Sequence, residues 1–130
     1  MAYRAMNLAA ECVIRSGGSI ILDAPYGHAE DREDLRSLVE PAQARVYLVE
    51  FRVSAETAVR RLRARGPDPD RPDLTELSVT QAAREYSYTG MGLVLNSDVL
   101  SPAEAAERIS GWVNTPGSPS SGMGPSSDRR

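Results

Sequence analysis

Arg60, Arg61, Arg63 and Arg65 fall within six positions, and Gly66-Pro67-Asp68-Pro69 follows at once. Clustered guanidiniums offer planar, bidentate donors to phosphate or carboxylate oxygens, and a flexible loop beside them suits a polyanion such as a nucleotide triphosphate. On a helix Arg61 and Arg65 lie four apart and flank one side, whereas Arg60 points mostly outward and Arg63 is solvated. The directed pair is Arg61 with Arg65. The competing reading is a helix end whose arginines favour the C-terminal dipole and pair with Asp68, Asp70 or Asp73. All fifteen basic residues are arginine, so chemistry that needs a lysine ammonium cannot come from this polypeptide.

Other reactive side chains are scattered. Asp23 ends an apolar run and, as a strand-end carboxylate, can cap the turn at Ala24-Pro25. His28 follows Pro25-Tyr26-Gly27, close to where α/β folds bind ligands, but a lone loop histidine is ordinarily just exposed. Arg32 is expected to pair with neighbouring carboxylates on its helix. Cys12 is the single cysteine; it permits no internal disulfide, fits a reducing cytoplasm and reads as a small buried hydrophobe rather than a nucleophile. Tyr86 and Tyr88 read as packing residues rather than a base-stacking platform.

A chain of 130 residues with 41% hydrophobic content supports one domain with its own core. A net charge of −3 argues against general nucleic-acid or membrane-surface binding, which needs a broad positive field. No apolar segment approaches membrane-spanning length and the N-terminus lacks a signal pattern, so the expectation is a soluble, cytoplasmic protein.

The elements that must position these residues alternate. Residues 2–15 place Tyr3, Met6, Ala10 and Val13 at helical spacing, and Gly17-Gly18 stops the helix. Residues 19–23 form a short apolar run that predicts a buried parallel strand. A charged surface helix follows over 30–39, with Leu35, Leu38 and Val39 inward and Pro41 closing it. Residues 46–51 show almost no alternation, the pattern of a central strand covered on both faces. Ser54 caps the next helix, whose inner face is Ala55, Ala58, Val59 and Leu62. A loop over 66–75, a short helix over 80–86 and a third strand over 93–96 come next. Ser101-Pro102-Ala103-Glu104 is a capping box opening a helix with Ala105, Ile109, Trp112 and Val113 on one face. The Pro/Ser/Gly-rich stretch 114–130 predicts a disordered tail behind a domain of residues 1–113. The alternation predicts an α/β sandwich with a parallel sheet of about three strands, too narrow to cover its helices and so suggesting a missing strand or a partner.

The order and spacing resemble a known layout: an apolar strand ending in Asp23, a charged helix carrying Arg32, the 46–51 strand, then Arg61-Leu62-Arg63-Ala64-Arg65 and a loop. This is similar to the C-terminal half to two-thirds of a small P-loop kinase of the AAA-type family, near the zeta-toxin, polynucleotide-kinase and gluconate-kinase branches. The resemblance spans residues 3–112 and implies a three-layer α/β/α fold, ATP and Mg²⁺ as cofactors, and phosphoryl transfer to a small hydroxyl compound or nucleotide. It implies that Asp23 orients Mg²⁺ or its waters and that Arg61 and Arg65 are the lid arginines contacting nucleotide phosphates and base, with Arg61 also stabilising the transferred group. Arg32 could approach a phosphate, and Asn96-Ser97-Asp98 departs from the family's strand end near the adenine. The family's G-x-x-x-x-G-K-[ST] loop is absent from this sequence, as are its first strand and substrate segment with the general base. The expectation is therefore a truncated, N-terminally incomplete kinase domain, inactive alone. The alternative is a non-catalytic α/β module that binds an anion, or associates with itself or a partner chain across the gap left in the sheet.

Overall fold

The computed structural model describes residues 2–116, which fall into two compact units divided after Tyr47. The tail expected beyond residue 114 lies, from 117 onward, outside the described residues.

The first unit holds α1 (Ala2–Arg15) and α2 (Ala29–Val39), followed by a single 3-10 turn over Glu40–Ala42. Alanine and asparagine at helical spacing turn inward on α1: Ala10 is fully buried and Asn7 nearly so. The helix stops where Gly17 adopts a left-handed φ of 83°. That conformation lets the Gly17 and Gly18 amides donate to the Ile14 and Val13 carbonyls, each at 2.9 Å. Tyr26 is the second anchor. Its hydroxyl donates to Asn7 Oδ1 at 2.9 Å, and its ring lies 5.1 Å from that of Tyr3. Burial chiefly, with the nearby Tyr3 and Asp31 oxygens, pushes its phenol above the ordinary range.

The strand expected over residues 19–23 does not form. A strand exists only through a neighbour that takes its amides and carbonyls, and no described residue pairs with this run. It has no regular structure and is exposed, Ile21 at 94%.

The second unit contains β1 (Val49–Arg52), α3 (Ala55–Arg65), α4 (Glu76–Glu85), β2 (Leu93–Asn96) and α5 (Pro102–Asn114). β1 and β2 pair in parallel, Val49 opposite Leu93 and Arg52 opposite Asn96, and α3 and α4 make the crossover that parallel pairing requires. Ser54 caps α3 by accepting from the Thr57 amide. Thr75 and Ser78 close a capping box on α4, so that helix starts earlier than the 80–86 pattern predicts. Ser101 and Glu104 close the one expected on α5.

The sheet is two-stranded and β1 is not central: Phe51 is half exposed while Glu50 is buried. The run that looks uniformly apolar thus carries its only charge inward. The Glu50 carboxylate is fully engaged, accepting from the Thr89 amide at 2.8 Å, the Thr89 hydroxyl at 2.7 Å and the Gly90 amide at 2.9 Å. Gly90 has a left-handed φ of 68°, which a glycine adopts without strain and which turns its amide toward the carboxylate. A buried charge is tolerated only with such satisfaction. Truncation by Glu50→Ala would orphan two backbone donors, so we expect a stability loss of roughly 2–4 kcal/mol in urea unfolding; a loss near zero would mean that the loop 86–92 is held by something else.

Candidate functional site

The carboxyl ends of β1 and β2 carry the densest polar cluster of the second unit. The Ser54 amide, at the start of α3, donates to both oxygens of Asp98 at 3.0 and 3.2 Å. Asp98 is itself placed by its amide, which donates to Asn96 Oδ1 at 2.9 Å. Arg61, two turns into α3, donates from Nη1 to Ser97 Oγ at 2.9 Å and from Nη2 to the Ser97 carbonyl. The Ser54 amide first, then the Ser54 and Thr57 side chains and the Arg61 charge, hold the Asp98 carboxyl below the usual carboxylate range. Thr57, beneath them, is buried.

The arginines sort by partner. Arg63, expected to be solvated, forms a bidentate pair with Glu76, both contacts at 2.7 Å. It reaches from the last turn of α3 to the first turn of α4, across the loop 66–75. This hydrogen-bonded pairing raises Arg63 and lowers Glu76 from their ordinary values. Arg71 takes Asp73 in the same way at 3.0 Å, so Asp73 is not the partner of Arg61 or Arg65. Arg60 and Arg65 make no hydrogen bond or ion pair among the described residues.

Arg61 and Arg65 do come together. Both line a cleft of about 230 Å³ whose walls include Val53, Leu62, Leu74 and Val79. Arg65 also borders an adjoining cleft of about 320 Å³ with Pro67, Asp68 and Glu76. The trough thus combines apolar walls with one guanidinium engaged by Ser97 and one without a hydrogen bond or ion pair among the described residues. Beside it, the Tyr86 and Tyr88 rings lie 4.8 Å apart at 60°, and Arg52 sits 5.2 Å from the Tyr88 centroid. Tyr88 therefore packs on its own neighbours, as expected.

Asp23 belongs to the first unit and is exposed, without a hydrogen bond or ion pair among the described residues. It neither caps the turn nor meets other ligands: among the described residues no three His, Cys, Asp or Glu side chains cluster to hold a metal ion. Arg32 does not pair with carboxylates; its Nη1 donates to the Tyr26 carbonyl at 2.7 Å, which secures a backbone with φ of 42°. Left-handed φ is unfavourable for tyrosine, so this turn needs the bond. His28 is the N-cap residue of α2 but lends no side-chain cap. Cys12 is exposed rather than buried, because it falls outside the inward stripe of Asn7 and Ala10. Glu50 and Arg52 carry no local signal, and Asp98 shows only as a departure from the family's strand end, because their partners are distant in the chain.

A family model described as an AAA domain matches residues 1–88, which include Asp23, Arg61 and Arg65. The chain belongs to this AAA-domain family. Its type is that of P-loop, kinase-like NTPases, and the helix-rich chain with a small parallel sheet is an incomplete α/β fold of that kind. No curated protein and no solved structure matches the chain. Among the described residues of this AAA-domain protein no helix is long and apolar enough to cross a membrane.

The electrostatics of the cluster set a pH dependence. A carboxylate whose folded pKa is lowered lends stability that is complete above its unfolded value and is lost as pH falls through the folded one. Asp98, Asp73, Glu76 and Glu104 are all lowered. Thermal unfolding followed against pH should therefore fall off below about pH 4, and Asp98→Asn should make that decline shallower; an unchanged slope would contradict the role given to the Ser54 amide.

Proposed function

We propose that the chain is a kinase-like nucleotide-binding protein in which Arg61 and Arg65 face the phosphates of ATP. The observation that supports this most is the shared cleft: two arginines at the carboxyl end of a parallel strand, above apolar walls, in a member of the AAA-domain family. Arg65 is the working cation, because it has no hydrogen-bond or ion-pair partner among the described residues. Arg61 must exchange Ser97 for phosphate or act while holding it. The family resemblance would give Asp23, in the first unit, the part of orienting Mg²⁺ through its waters. In a complete site Mg²⁺ and the guanidiniums stabilise charge on the transferred phosphoryl group of ATP, with a small hydroxyl compound or nucleotide as acceptor.

The sequence has no lysine and no G-x-x-x-x-G-K-[ST] run, so these residues do not by themselves assemble the phosphate cradle that gives P-loop kinases their affinity. Weak ATP binding and no turnover are the consequences. A second reading, a non-catalytic anion-binding module, is favoured by one contact: Arg61 already braces the Ser97-Asp98 turn, which is structural work.

Titration calorimetry with ATP and Mg²⁺ separates them. Weak binding that drops at least tenfold, about 1.4 kcal/mol, in Arg65→Ala and further in Arg61→Ala plus Arg65→Ala supports the nucleotide reading. Heat that is absent, or unaffected by both variants, removes it.

A further inference from the structure

Two features of the chain lack the partner that each needs. The first is the outer edge of β1. Its ladder to β2 runs through Leu48 and Arg52, whose carbonyls accept from the Leu93 and Ser97 amides. In a parallel ladder alternate residues bond one neighbour, so the amides and carbonyls of Val49 and Phe51 point the other way. Val53, next on that edge, donates its amide to the Tyr88 hydroxyl at 3.4 Å, which closes the edge at one end and leaves Val49 to Phe51 open. Phe51 is 49% exposed there. Two parallel strands alone are an unusual sheet, since parallel sheets are normally wider and covered on both faces.

The second is the run Ser19-Ile20-Ile21-Leu22-Asp23. It is β-branched, apolar and proline-free, and it follows the Gly17-Gly18 stop. It joins no strand, and Ile20 and Ile21 are both exposed. Such a segment is a strand in want of an edge.

The charges match as well. Laid parallel to β1 with Ile20 opposite Val49, the run sets Leu22 against Phe51 and Asp23 against Arg52. Asp23 makes no ion pair among the described residues, and Arg52 has only the Tyr88 face. In the antiparallel arrangement Asp23 falls opposite Val49 and the match is lost. We propose that this face is an interface between two copies of the chain, in which residues 19–23 of each add as a parallel third strand to the β1 edge of the other. A second copy is the occupant because it brings both an edge and a segment of matching charge, neither of which belongs to a wider sheet among the described residues, and because exchange of the same element in both directions closes as a two-fold dimer.

The inference is independent of ATP binding, and its test is run without nucleotide or Mg²⁺, so that either can fail alone. Analytical ultracentrifugation of the full chain over a concentration series should show one chain mass passing to two. Ile21→Lys, at a position exposed in the single chain, should leave the helical circular dichroism unchanged and abolish the dimer. Asp23→Arg and Arg52→Asp should each weaken association roughly tenfold, since each turns two symmetric attractions into repulsions. The two changes combined should restore it. A monomer at every concentration, a dimer indifferent to Ile21→Lys, or no restoration in the double reversal would overturn the proposal.

Discussion

The second unit depends on one buried carboxylate. Glu50 sits on β1 with almost no exposure, and its oxygens are met by two backbone amides and a hydroxyl from Thr89 and Gly90. A charge removed from water is costly unless it is fully hydrogen-bonded, so the strand and the loop 86–92 must keep one geometry relative to each other. That geometry has consequences further along β1. It brings the Tyr88 hydroxyl to the Val53 amide and its ring under Arg52, just before the chain turns into α3. The start of α3 is then fixed from the other strand by Asp98. The carboxyl end of the sheet is thus braced on both sides by carboxylates accepting backbone amides.

Within that brace the arginines divide the work. Arg63 joins the two helices of the crossover through Glu76, and Arg61 joins α3 to the turn after β2. An exposed ion pair such as Arg63–Glu76 contributes little to stability by itself, but together with the Arg61–Ser97 hydrogen bonds it ties α3 to α4 and to the turn after β2. Arg65 is left over, and an unpaired guanidinium on an apolar trough is the feature that singles this site out. What at first reads as four equivalent cations is one free donor held in place by two committed ones, with Arg60 outward.

Local patterns were legible wherever the deciding partner lies within a turn or two. The α5 start follows from Ser101 and Glu104, three residues apart, and the α1 stop from Gly17; both are bonds made within the segment itself. The early start of α4 is equally local, set by the Thr75 and Ser78 capping box at the end of a proline-rich loop whose composition masks it. The alternation of elements carries the α/β class, and the AAA-domain match bears out the resemblance to the AAA-type family. What sequence could not supply were decisions made across long separations. Glu50 looks like an interruption in an apolar strand until Thr89, 39 residues later, is placed over it. Arg61 looks like an uncommitted cation until Ser97, 36 residues away, meets it. The 19–23 run has every intrinsic property of a strand, yet strand formation is decided by a neighbour and not by propensity.

Among the described residues Arg65 is free and Arg61 is committed to Ser97. That division is tested most directly by following the arginine Nε–H signals in ¹H–¹⁵N correlation spectra during titration with ATP. The Arg65 signal should move progressively while those of Arg63 and Arg71 stay fixed and that of Arg61 follows less. Equal movement of all the arginines would indicate nonspecific charge attraction, and an unmoved Arg65 would contradict the account.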